Sequence, residues 1–593
     1  MGKKDCEKKK KRVDSCCKCV KIYQKDLPVT LTRANNYCLG EDLAWTSPGA
    51  PIKVTSNNVK LDFGSHQLDL SGAAFTHLTT ITGNLPAGAT KNVPFEITDP
   101  TTTRIRIVTG WDSLATDIDV TVFDPTGKLV GTAASFSNPE IVTVNTSSAN
   151  QIVGTWTIVL ESFAGPAANY TIDISTTGAA FIGIDANGVK NLKLINVNIT
   201  GTDGDTQPLA NLYTGILIQN SSKIVLEGLS TYKIGTPFSI INTNNIVNKA
   251  YNIFNAIPGA FSYNNCNGIK AVDGTVVDCS NNHTNSKNVR ILSTTSTSTL
   301  INTIRNISLS SCTNVIIRGS KILQTHLETA VYTGIAWAQC SNIEVDDCTV
   351  DVRSQNQCFG IANFFSPFGG SASNTWIHHC QVRMGGNIDN AGWAINFNNV
   401  SYKNILVEHC QIEGATFGIS NWNYGASADP STVTGIVQRN NNITNCQYGF
   451  YIPQVTDSVI SGNNVSKSTV GYAALLSVNT AFENNTAVGC GYGFSDTEPV
   501  STFISGPYDP IANQSTNTLF LNSISLSNTV PFFTVSQTTT NINPIIAGAV
   551  VVTASDAAEK TTDVVDDVVK SSLATNLSSF NCKKLQRILI DQI

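Results

Sequence analysis

Three stretches decide the fold: Asn342-Ile-Glu-Val-Asp-Asp-Cys348-Thr-Val350, Thr375-Trp-Ile-His-His-Cys380-Gln-Val382 and Asn404-Ile-Leu-Val-Glu-His-Cys410-Gln-Ile412. Each reads as a short alternating strand, a polar corner at the cysteine and the start of a second strand. Further copies replace the cysteine by asparagine, at Asn442-Ile443, Asn464-Val465 and Asn485-Thr486, so the marked position recurs at intervals of 32, 30, 32, 22 and 21 residues. Between copies returns a glycine followed by an apolar residue: Gly334-Ile335, Gly360-Ile361, Gly418-Ile419, Gly449-Phe450 and Gly471-Tyr472. One such unit cannot bury its apolar side alone. Stacked as successive coils, each lays its Ile, Val and Leu on the coil below, and backbone groups pair between coils at roughly 4.8 Å. A propeller would need four strands per repeat and its own signature, and a leucine-rich repeat would need leucine at fixed positions. Neither is present, so a parallel β-helix is expected.

Composition agrees. Charged residues make up 14% of the 593, against about 25% in an average soluble domain, and Asn, Thr, Ser and Gly dominate the polar remainder. These are strand and turn formers, which excludes a coiled coil, a helical bundle and a disordered chain. The longest apolar stretch, Pro544 to Ala554, is far short of the ~20 residues of a membrane helix. A net charge of -5 implies no general attraction to nucleic acid, and no sequence-specific nucleic-acid partner is expected.

The charge is uneven: residues 1–25 hold ten basic and three acidic side chains, leaving 28 basic and 40 acidic in the rest. The start, Met1-Gly2-Lys3-Lys4-Asp5-Cys6, departs from the M-G-x-x-x-[ST] myristoylation pattern only in its last position. The basic, Cys-rich tail 1–26 is therefore open to four readings: lipidation at Gly2 and Cys6, an electrostatic tether to an acidic surface or membrane, intermolecular disulfides, or a solvating arm. No apolar run follows the lysines, which reads as cytosolic synthesis without a secretory signal. In that compartment the 16 cysteines are expected to be free thiols or metal ligands, and Cys6, Cys16, Cys17 and Cys19 to be reactive.

Val59-Lys-Leu-Asp-Phe-Gly-Ser-His-Gln-Leu68, Gly183-Ile184 and Asn191-Leu-Lys-Leu194 resemble the opening coils of right-handed parallel β-helix proteins of the pectate-lyase-like superfamily. The resemblance covers about residues 27–75 and 178–530 and implies coil geometry. Between them the coil phrase gives way to longer alternating strands. Asp117-Ile-Asp-Val-Thr-Val-Phe-Asp-Pro-Thr-Gly127, Gly154-Thr-Trp-Thr-Ile-Val159 and Asn169-Tyr-Thr-Ile172 resemble the bacterial pre-peptidase C-terminal (PPC) domain. That likeness implies an inserted antiparallel β-sandwich at 76–177, an accessory module that binds surfaces or polymers, some members of which carry calcium. Asp117, Asp119 and Asp124 are the candidate calcium residues, although turn chemistry, in which Asp bonds its own backbone, is the favoured reading of them. Residues 531–593 are expected to form a C-terminal cap or helical tail, in which Val564, Val565, Val568 and Val569 line one side.

The ladder cysteines, replaceable by asparagine, read as structural thiols stacked inside the corner. Next to them alternation turns Val345, Ile377 and Val407 inward and Asp346, His378 and Glu408 outward. In-register stacking would align the last three as a column, with Asp351, Arg383 and Glu413 nearby. Asp346, His378 and Glu408 are the candidate catalytic groups, since paired carboxylates with a histidine suit acid–base cleavage of sugars; the column could equally hold a divalent cation or simply pair its charges. Asp351, Arg383, Glu413, His379, His409, Trp376, Trp393 and Trp422 are the candidate substrate-binding residues, because aromatic faces beside polar groups suit sugar rings. The reading that results is a non-enzymatic surface or attachment protein, a virion or spore-coat component that binds a polysaccharide or surface glycan and is open to homo-oligomerisation. A polysaccharide lyase or glycoside hydrolase is the first alternative and a protein-binding scaffold the second.

Overall fold

The computed structural model describes residues 19–547 apart from 48, 71–75, 114–115, 135–137, 178–180, 202–212, 299–304, 325–331, 354–357, 364–371, 386–391, 398–401, 422–432, 454, 497–514, 516 and 535–538. Gly2, Cys6, Cys16, Cys17, Trp422 and the C-terminal helical segment lie outside the described residues. The chain divides into two compact units, Met1–Phe261 and Ser262–Ile593. Among the described residues the only helices are two 3-10 turns, Gln24–Asp26 and Thr146–Ser148. No helix among them is long and apolar enough to cross a membrane.

In the second unit most coils carry three short strands, each paired in parallel with its counterpart one coil away. Ser341–Asp346, Thr349–Val352 and Cys358–Asn363 are followed by Ala372–His378, Gln381–Met384 and Gly392–Phe397, then by Tyr402–Glu408, Gln411–Glu413 and Phe417–Ser420. Identical or similar side chains therefore stack: Ile335, Ile361, Ile395 and Ile419 form one wholly buried row, continued by Phe450, Tyr472 and Phe494. The recurring glycine has a steric cause. A Cβ at Gly360, Gly418 or Gly449 would stand 2.5–2.7 Å from a carbonyl oxygen of the next coil, closer than any side-chain carbon tolerates. Coil strands continue to Thr540–Ile542 and Ile545–Ala547, past residue 530.

The corner ladder runs Thr294, Ser320, Cys348, Cys380, Cys410, Asn441, Asn463, Asn485 and Ser523, all buried. Of its asparagines, Asn441 and Asn463 stand one residue before the expected Asn442 and Asn464, while Asn485 stands where it was expected. The register is fixed by hydrogen bonds: the Cys410 backbone N–H donates to Asn441 Oδ1, Asn441 to Asn463 Oδ1, and Asn463 to Asn485 Oδ1. Asn442 and Asn464 instead face solvent and pair with each other. Cys348, Cys380 and Cys410 are free thiols; the contact with Cys380 and burial raise Cys348, and burial and the neighbouring Cys410 raise Cys380, well above the ordinary thiol range.

In the first unit the coil strands are interrupted and then resumed in register. Ile52, Leu61 and Leu68 lie beside Ile184, Leu194 and Ile199, although more than a hundred residues separate them. The intervening residues build two four-stranded antiparallel sheets. One joins Glu140–Asn145, Arg104–Trp111, Ala168–Thr177 and Thr76–Leu85; the other joins Leu129–Ala133, Asp117–Phe123, Gly154–Ala164 and Thr90–Ile97. Both contribute to one core that includes Trp156, Ile158, Ile107 and Ile172. Coil strands begin earlier than residue 27: Val20–Ile22 pairs with Asn36–Leu39. This pairing corrects the expectation for Cys19. It sets the Cα atoms of Cys19 and Cys38 5.8 Å apart, and the two form a disulfide.

Candidate functional site

Five successive strands in register place Arg318, Asp346, His378, Glu408 and Arg439 in one column. Val345, Ile377 and Val407 point inward and are fully buried. The column faces away from them, yet it is covered: the side chains of Asp346, His378 and Glu408 are 16, 6 and 8% exposed.

Covered charges must be paired, and here they are. Arg318 donates from Nε to Asp346 Oδ2 at 2.7 Å and from its terminal nitrogen to Glu344 Oε1. His378 Nδ1 lies 3.0 Å from Asp346 Oδ1, and its Nε2 lies 3.6 Å from Glu344 Oε1. Glu408 accepts from Arg439 Nε at 2.6 Å and from Trp376 Nε1 at 3.0 Å. Trp376 also stacks on the His378 ring with centroids 3.8 Å apart. Burial works to raise the Glu344 carboxyl, but the nearby His378 ring and the hydrogen bond and charge of Arg318 outweigh it and hold the group below its ordinary value.

Glu344, Arg318 and Arg439 were not among the expected site residues. Glu344 stands two residues before Asp346, so alternation puts it on the same outward side. Arg318 escapes notice because Ser320 occupies the ladder position of its coil, and Arg439 because the asparagine register there is displaced by one.

His379 and His409 follow the column at the corner, where both take left-handed backbone conformations, with φ of 51° and 54°. Their rings stack at 5.3 Å and are largely exposed. His379 Nδ1 lies 2.9 Å from His378 Nδ1 and 3.5 Å from Asp346 Oδ1.

Asp351, Arg383 and Glu413 form a second row on the next strand of each coil. They line an open groove of about 430 Å³ with Arg353, Met384 and Asn445. Its ion pairs are long, 3.7 Å for Arg353–Asp351 and 3.9 Å for Arg383–Glu413, and Arg353, Arg383 and Glu413 are more than half exposed. Trp393 cannot stack on a ligand. It is 1% exposed, sandwiched between Phe359 and Phe417 within a second buried cluster.

The three aspartates proposed for calcium do not converge. Asp124 Oδ1 accepts from Thr126 and Lys128 and Oδ2 from the Asn150 backbone, closing its own turn. Burial opposes ionisation of Asp124, yet these bonds prevail and set it at about 2. Asp117 is raised by burial and by Asp119, and Asp119 by burial and by Glu161 opposite it. Among the described residues the one group with metal-ligand proximity is Asp346, His378 and His379.

No protein-family model and no curated protein sequence matches the chain. Among solved structures it is similar to the catalytic domain of a GH87 α-1,3-glucanase in complex with tetrasaccharides, at 10% identity and a TM-score of 0.35, covering 80% of this chain and 96% of that one. It is similar to the periplasmic alginate epimerase AlgG at 11% identity and a TM-score of 0.29, covering 56% and 78%. A tailspike of Pseudomonas phage phi297 gives 10% identity and a TM-score of 0.27, covering 82% and 70%.

Proposed function

We propose that the chain is a non-enzymatic surface or attachment protein whose right-handed β-helix presents a glycan-binding face at the Asp351–Arg383–Glu413 groove, with residues 76–177 serving as a PPC-like sandwich module. The reading is carried by the close pairing of the column's carboxylates beside a loosely paired groove. A general acid must hold a proton near neutral pH, and a base must be free to take one. Glu344 is held ionised, and Asp346 and Glu408 are already engaged by Arg318, His378, Arg439 and Trp376. In the groove the long, exposed pairs leave the guanidiniums of Arg353 and Arg383 able to fork onto a sugar carboxylate or sulfate, while Asp351, Glu413 and Asn445 can take hydroxyls. A virion or spore-coat component fits this reading, made in the cytosol and tethered to an acidic surface or membrane through the basic tail.

The test is a panel of acidic and neutral polysaccharides, scored for new reducing ends and for unsaturated products. Neither should appear at any pH, and retention on an acidic glycan should weaken by about 1–2 kcal/mol in Arg383→Ala. Cleavage abolished by Asp346→Asn would replace this reading with a lyase or a glycoside hydrolase.

A further inference from the structure

We propose that Asp346, His378 and His379 form a binding site for a divalent first-row transition-metal ion, with zinc as the ion to test. The site begins with backbone conformation. In a regular strand, consecutive side chains point to opposite faces. His379 sits at φ 51°, which breaks the alternation and brings two consecutive imidazoles to the same side as Asp346 of the preceding coil. Asp346 Oδ1, His378 Nδ1 and His379 Nδ1 then form a triangle with edges of 3.0, 2.9 and 3.5 Å. A tetrahedral zinc ion with bonds of about 2.0–2.1 Å places its ligand atoms roughly 3.3 Å apart, so the triangle already has the size of one face of the tetrahedron.

The groups behind these atoms are also in place. Arg318 holds the other oxygen of Asp346, leaving Oδ1 turned to the triangle. His378 Nε2 is buried without a hydrogen-bond partner and lies 3.6 Å from Glu344 Oε1, so an ion on Nδ1 would leave the Nε2 proton facing that carboxylate, the arrangement that orients a ligating ring once the contact closes. Trp376 stacks on that ring and His409 on the ring of His379. Three acceptor-bearing atoms this close repel one another unless a cation, proton or metal, lies among them. Two nitrogens and one oxygen favour zinc-like ions over calcium or magnesium, which take six or more oxygens. The ligands come from adjacent coils, so the ion would staple them together. This site is independent of the glycan-binding reading.

The full-length protein, stripped with a chelator and with reactive thiols blocked by N-ethylmaleimide, is titrated with Zn²⁺ by calorimetry and with Co²⁺ by visible absorption. One ion per chain is expected, with cobalt bands of a nitrogen–oxygen site and a rise in melting temperature given by Zn²⁺ but not by Ca²⁺ or Mg²⁺. His379→Gln alters an exposed side chain and should fold normally while losing affinity by ~100-fold. Glu344→Gln, which leaves all three ligands, should lose ~10–100-fold. Unchanged affinity and cobalt spectrum in His379→Gln, equal competition by Ca²⁺, or no saturable binding would overturn the proposal.

Discussion

The column and the groove row are built by the same device and behave differently. Both align one charged residue per coil by register, Asp346–His378–Glu408 in the first and Asp351–Arg383–Glu413 in the second. In the column, Trp376 and flanking arginines cover the charges, and each acquires close partners at 2.6–3.0 Å. In the row Arg383 and Glu413 stand more than half exposed and Asp351 is only partly covered, and the contacts stretch to 3.7 and 3.9 Å. Stacking thus supplies alignment, while burial decides whether aligned charges become a fixed network or a surface available to a ligand.

The largest effect expected sharpens the distinction between covered and open positions at a single residue step. Asn463→Ala should cost about 3 kcal/mol in urea unfolding, because it strands the backbone and side-chain amides of Asn441 inside the corner. Asn464→Ala, one residue on but exposed, should cost a few tenths. Equal losses would mean that the ladder register is wrong. His283 shows what a covered imidazole does without the carboxylates that serve His378. It is buried against Tyr263, its ring nitrogens have no hydrogen-bond partner, and burial pushes it down to about 3. The unfolded chain then takes up a proton below about 6.5 that the native state refuses. Stability should be full above that value and fall by on the order of 3 kcal/mol by pH 4. His283→Phe should flatten this slope in a pH series of denaturation curves.

Glu344→Ala should cost about 2 kcal/mol at neutral pH, since it leaves the buried His378 with one carboxylate fewer. The native carboxyl is held below its ordinary 4.5, so this contribution is complete above that value and lost as pH falls through the native one; mutant and parent curves should converge in acid. At the small end, Glu413→Ala and Arg383→Ala should change stability by no more than about 0.5 kcal/mol. A larger loss would show that the row is a structural network like the column.

The interior of the fold was legible because alternation and period leave few choices: Val345, Ile377 and Val407 are inward, and the columns beside them follow. Residue type could not fix the register at Asn440-Asn441-Asn442 or Asn463-Asn464, where every residue suits a corner. The hydrogen bonds to the preceding coil make that choice. Trp393 was misassigned because the strand Gly392–Phe397 is buried along its whole length, so alternation does not distinguish an exposed side. The Cys19–Cys38 pair was missed because the expected compartment, rather than strand pairing, governed the reading of the cysteines. Glu344 was within reach of the same alternation that found Asp346.

Another row has a consequence of its own. At one corner the residues in left-handed conformation are Asn288, Asn314, Asn342, Asn374 and Asn404, with Gly268 and Gly435 in the corresponding places at either end. Each asparagine donates from Nδ2 to Oδ1 of the one before it, down to Asn267. Every amide therefore points the same way. Turning one around would set oxygen against oxygen on one side and nitrogen against nitrogen on the other, breaking two bonds for a single flip. Neighbours consequently dictate one another's orientation, and the choice made at one terminus is inherited along the row as a directional order with aligned dipoles.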